Sequence, residues 1–149
     1  MKWWVTFGFL LWISAGFLGV PGPVSKLTLL VLAIMTLFGS RMQGLLGGFL
    51  VGLVEGAVIG SNIAAFAASR MIVGYILGSL RSLDFDANFI VAAVWAFLTC
   101  ITAQILFRIG VPGGSFVEVA LATLGAALLN AALAIPLYWL ASKVFASNN

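Results

Sequence analysis

Six apolar runs follow one another in this chain with so little between them that each reads as a helix lying in lipid. They cover about 3–20, 24–39, 42–60, 63–80, 88–107 and 116–143. One crossing of a hydrocarbon core about 30 Å thick takes about 20 residues, so six crossings use most of the 149 residues and leave room only for turns. Charged residues make up 7% of the chain and apolar ones 63%, whereas a soluble surface needs roughly a quarter of its residues charged. The expectation is an all-α membrane protein, a compact bundle of six transmembrane helices forming a single domain over 1–149. The second run, 24–39, is short, and at about 1.5 Å per residue it reaches only about 24 Å; it predicts a thinned region or an early stop. Met1-Lys2 ahead of an apolar run resembles a signal peptide, but five further runs follow, and the small residues Ser14, Ala15 and Gly16 lie inside the span. The first run is therefore expected to remain as a helix.

Charge and residue type exclude several functions. A net charge of +3 with no run of Lys or Arg offers nothing to cover successive phosphates of a nucleic acid. Histidine is absent and Cys100 is the single cysteine, so neither a disulfide framework nor a thiolate metal site is available. There is no serine in an elbow motif, no phosphate-cradling loop and no pair of intramembrane aspartates. The chain is expected to be no enzyme, with no catalytic residue, cofactor or metal. Asp84 and Asp86 flank Phe85 in "RSLDFDAN" and read as a solvated turn. Lys2, Arg41, Arg81 and Lys143 fall on one side of a six-helix topology and Lys26 and Arg108 on the other, which predicts cytoplasmic termini. Trp3, Trp4, Tyr138 and Trp139 then mark the cytoplasmic interface.

The polar residues within the runs are few and sharply placed. In "GLLGGFLVGLVEGAVIG" the glycines Gly44, Gly48, Gly52, Gly56 and Gly60 recur every fourth residue. At about 100° per residue, Gly48, Gly52 and Gly56 stand about 40°, 80° and 120° from Gly44, and Glu55 about 20° from it. The acid thus projects from the bare face, where a neighbouring backbone comes close and lipid is excluded. The next run, "RMIVGYILG", carries a second small-residue ridge at Gly74 and Gly78, with Arg70 one turn earlier. With a turn near Ser61 and Asn62, Glu55 and Arg70 differ in depth by about 5 Å on antiparallel neighbours, which predicts an ion pair. Asn130 and Gln104 read as interhelical hydrogen-bonding groups. Pro136 reads as a kink that removes the bond to the Ala132 carbonyl.

The stretch 44–81 resembles the central segment of the bacterial rod shape-determining MreD family, a Gly-rich helix with an acid, a short turn and a helix ending in Gly-Tyr-x-x-Gly and a basic residue. Gly74, Tyr75, Gly78 and Arg81 match that ending. The last run, "LLNAALAIPLYWLASKV", is similar to the family's closing segment, with Asn130, Pro136 and Tyr138 in place. Glu55 stands where the family usually has aspartate, and 81–88 is less basic than is common. The resemblance implies a non-enzymatic scaffold of the cell-elongation machinery in the bacterial inner membrane. It would bind MreC, and through it act near MreB filaments, the glycosyltransferase RodA and a class B penicillin-binding transpeptidase. It also implies an architecture like that of the substrate-binding S-components of energy-coupling-factor vitamin transporters, which supply the alternative function. Those subunits dock through an Ala-xxx-Ala strip on their first helix, and "WWVTFGFLLWISAGFLGV" has none. A holin-like pore would need a polar stripe along a helix, which is absent. Helix packing or partner binding is expected of Gly44, Gly48, Gly52, Gly56, Glu55, Arg70, Gly74, Gly78, Asn130 and Pro136.

Overall fold

A computed structural model describes residues 2–17, 26–81, 86 and 88–146. The described residues form six helices and no strand: α1 (Lys2–Ala15), α2 (Leu27–Phe38), α3 (Arg41–Ile59), α4 (Ile63–Leu80), α5 (Phe89–Gly110) and α6 (Phe116–Ala146). Four of them, α3 to α6, are long and apolar enough to cross a membrane, and α1 and α2 are shorter apolar helices.

Several boundaries move from the sequence expectation. The first helix ends at Ala15, with a turn at Gly16 and Phe17, where 3–20 was expected; residues 18–25 lie outside the described ones. At its other end, α5 continues past Phe107 to Gly110. Arg108 therefore belongs to the helix, because the first residue constrained away from helical geometry is Val111, which precedes Pro112. Its backbone is at φ −134° and ψ 82°. The last helix runs through Pro136 as one element and on to Ala146. Of the acid pair in the 81–88 loop, Asp86 is exposed and Asp84 lies outside the described residues.

The short α2, 12 residues long, lies at the centre of the bundle. It touches each of the other five helices, and every residue from Thr28 to Leu37 is buried. A helix that is apolar all round has to be covered all round, and "LTLLVLAIMTLF" is such a sequence. Of its hydroxyls, that of Thr36 donates to the Ala33 carbonyl at 2.9 Å and accepts from Trp95 Nε1 of α5 at 3.1 Å. With helix axes this close to α2, the core cluster gathers around Leu29, Leu32, Val51, Val73, Ala96 and Cys100.

Against α2 packs a hairpin of α3 and α4. Ser40 and Gln43 form a reciprocal capping box at the start of α3, which satisfies two otherwise orphaned donors. Gly60 closes the helix in the left-handed region at φ 73°, and Asn62 follows at φ 53°, so the chain reverses within a few residues. Along the seam the two backbones meet. A Cβ on Gly44 would stand 2.3 Å from the Gly74 carbonyl oxygen, one on Gly48 2.1 Å from that of Arg70, and one on Gly52 2.5 Å from Ala67 Cα. Gly56 lies as close to Ile63, and Gly78 to Arg41. Gly44, Gly48, Gly52, Gly56, Gly74 and Gly78 are thus used inside the chain, facing backbone of the partner helix or, for Gly78, the start of α3, whereas Gly60 meets nothing within 4 Å.

Replacing Gly48 by Ala should cost about 1–3 kcal/mol by overpacking, and the Gly48→Leu, Gly52→Leu double variant should fail to give a monodisperse protein. Gly8→Ala and Gly125→Ala, where a Cβ meets nothing within 4 Å, serve as controls. Thermal unfolding in detergent followed by size exclusion reads both; equal melting of Gly48→Ala and the controls would place the seam elsewhere.

A candidate functional site built on a buried ion pair

The hairpin seam brings Glu55 of α3 and Arg70 of α4 together. Arg70 Nε donates to Glu55 Oε2 at 2.8 Å, and both side chains are buried, at 1% and 0% exposure. An unpaired charge here would cost several kcal/mol, so each remaining polar atom matters. Glu55 Oε1 accepts from the Thr28 hydroxyl of α2, which leaves neither carboxylate oxygen without a donor. Arg70 Nη1 donates to the Ala103 carbonyl of α5 at 2.8 Å and to Ser69 Oγ at 3.2 Å. One ion pair thus ties four helices together.

Aromatic faces complete the enclosure. Phe66 and Phe107 stack with centroids 4.3 Å apart, and the Arg70 guanidinium carbon stands 5.1 Å and 5.7 Å from their centroids. Cation–π contact of this kind is worth about 2 kcal/mol when desolvated. Arg70 Nη2 has no hydrogen-bond partner.

Other polar groups collect at the same end of α2. Asn130 of α6 is fully buried, and its Nδ2 donates to the Lys26 carbonyl at 3.1 Å while its Oδ1 is unpartnered. Gln104, on α5 next to Ala103, is buried with Nε2 unpartnered, so this nitrogen does not act as the interhelical link expected of the residue. Pro136 is exposed on α6, away from the cluster. At the far end of the bundle the residues of the Gly-Tyr-x-x-Gly ending each have a contact. Gly74 meets Gly44, and the Arg41 guanidinium lies 5.6 Å from the Tyr75 ring. Gly78 meets Arg41, and Arg81 Nε donates to the Leu37 carbonyl at 2.9 Å, answering one of the orphan carbonyls that end α2.

Sequence reasoning missed Thr28, Ser69, the Ala103 carbonyl and the aromatic pair. Phe66 carried a signal, since it lies four residues before Arg70 on the same helical face. Thr28 and Ala103 carried none, because tertiary packing alone brings α2 and α5 to the pair. Each carboxylate oxygen accepts one hydrogen bond, and among the described residues no group of three His, Cys, Asp or Glu side chains is placed to hold a metal. Comparison of the chain with protein families, with curated proteins and with solved structures gives no match.

Glu55→Gln and Arg70→Gln should each strand a buried charge and cost about 3–5 kcal/mol, and the double change should recover part of the loss. Thr28→Val should cost less, about 1–2 kcal/mol, because it removes one donor and leaves the pair intact. Unfolding free energies in detergent measure all four; strictly additive losses would show that the two charges do not stabilise each other.

Proposed function

We propose that this chain is a non-enzymatic scaffold subunit of the bacterial cell-elongation machinery, resident in the inner membrane with six crossings and cytoplasmic termini. Its direct partner is MreC, and through it the scaffold helps position peptidoglycan synthesis by RodA and a class B penicillin-binding transpeptidase near MreB filaments. The observation that carries the reading is the enclosed ion pair: Glu55 and Arg70 bind Thr28, Ser69, Ala103 and each other, with Arg70 Nη2 the one donor of the pair left unanswered. Substrate and proton pathways in membrane proteins need ionisable groups that face a cavity or water, whereas these are spent on holding helices. The resemblance of 44–81 and 128–144 to the MreD family supplies the partner.

Outward-facing surface is then left for association. Most of the apolar window of α6 is uncovered within the chain, with Leu121, Leu128, Trp139 and Leu140 exposed. In lipid such a face serves equally for acyl chains or a partner helix.

The alternative is a vitamin-transporter S-component. It is favoured by one observation, the unpartnered Arg70 Nη2, Gln104 Nε2 and Asn130 Oδ1, polar atoms of the sort that orient a small ligand.

Depletion should round a rod-shaped host with vitamin uptake unchanged, and tagged protein should co-purify with MreC. Normal rods with loss of uptake of one vitamin would favour the alternative. A cytoplasm-active reporter fused after Asn149 should be active, and activity of a periplasm-active reporter at that position would invert the topology.

A further inference from the structure

Beside the turn between α5 and α6 lies an open groove of about 580 Å³, within the span of about 300–1,000 Å³ typical of small-ligand sites. Its walls are almost wholly apolar: Ile101 and Ile105 of α5 face Phe116, Ala120 and Leu124 of α6. Three polar residues, Gln104, Arg108 and Thr123, break that lining. Gln104, at 8% exposure, carries an amide nitrogen with no partner. One turn further along α5, Arg108 folds its guanidinium over the Gly-rich turn, where Nη1 donates to the Gly113 carbonyl. Gly114 follows in the left-handed region at φ 76°, and Arg108 Nη1 lies at van der Waals distance, 3.7 Å, from where a Cβ on that residue would stand. Arg108 Nε is buried without a partner. The one carboxylate in the first turn of α6, Glu118, is exposed and does not line the groove, and among the described residues Arg108 makes no ion pair.

An apolar slot in the bundle wall, closed at its end by a lone cation and deepened by an unanswered donor, has the chemistry of an acyl chain joined to an anion. We propose that this groove holds one anionic phospholipid, an acyl chain lying between α5 and α6 with the headgroup phosphate on Arg108 and a lipid carbonyl accepting from Gln104 Nε2. Basic sites between transmembrane helices are suited to acidic headgroups, and guanidinium binds phosphate through paired donors. The slot is built separately from the Glu55–Arg70 clamp, although Ala103 and Phe107 on the adjacent face of α5 touch that clamp. An occupant would therefore press on the same helix that supplies the Arg70 acceptor.

The test is native mass spectrometry of the purified full chain exchanged into micelles holding equal phosphatidylglycerol and phosphatidylcholine. One retained phosphatidylglycerol is expected, preferred by about tenfold, because phosphatidylcholine offers the same phosphate but brings its choline cation beside Arg108. Arg108→Gln should abolish the preference, and Arg108→Lys should restore part of it. Ala120→Phe, at an exposed position and so compatible with folding, should fill the slot and remove the bound lipid; unchanged thermal unfolding checks that each variant is folded. Inorganic phosphate at millimolar concentration should not displace the lipid, because it lacks the chain. Retention indifferent to headgroup, an Arg108→Gln variant as selective as the parent, displacement by phosphate alone, or an Ala120→Phe variant that keeps its lipid and instead loses a partner protein would each overturn the proposal.

Discussion

Everything in this bundle is arranged so that two charges never meet hydrocarbon alone. The Glu55–Arg70 pair is reached only because α3 and α4 approach through glycine, and their approach is tolerable only because the pair and its neighbours satisfy one another. A Cβ at Gly48 would collide with the carbonyl of Arg70 itself, so the bare backbone and the ion pair share a residue. Neither a wider seam nor a shorter side chain would preserve the 2.8 Å contact. The desolvation of such a pair commonly offsets its attraction, and the pair's contribution is to specificity: only one register of the hairpin places donor against acceptor.

How much of this was legible depended on whether the signal lay within one helix or between two. The all-helical character followed from apolar run length, and the common face of Glu55 with Gly44 and Gly48 followed from a rotation of about 100° per residue. The depth match of Glu55 and Arg70 could be counted because a short turn fixes antiparallel neighbours. Beyond the hairpin, counting fails. Thr28 sits 27 residues from Glu55 and the Ala103 carbonyl 33 from Arg70, and a backbone carbonyl has no residue type to betray it. The extension of α5 through Arg108 was hidden by a turn signature whose actual breaker, Pro112, comes several residues later. Ser40 and Gln43 spell a helix start in the spacing S-x-x-Q, a signal available to reading but outweighed by the glycines beside it.

The partial independence of the two polar regions follows from α5 being two-faced. Ala103 and Phe107 look toward Arg70, and Gln104 and Arg108 look toward α6. Residues one apart on a helix point about 100° apart, so a single turn serves both the interior clamp and the outer slot without either side chain crossing the helix.

The burial of α2 bears on how the chain enters the bilayer at all. Twelve residues rise about 18 Å, well short of the hydrocarbon thickness, so this segment has little standing as an independent span that inserts first and finds its neighbours afterwards. Its carbonyl at Leu37 and its hydroxyl at Thr28 are answered by Arg81 and Glu55, both synthesised later. The cover of α2 and the partners of Thr28 and Leu37 therefore depend on the α3–α4 hairpin, which follows it in the chain. The order of translation thus sets a waiting time during which the most apolar helix of the protein is the least settled.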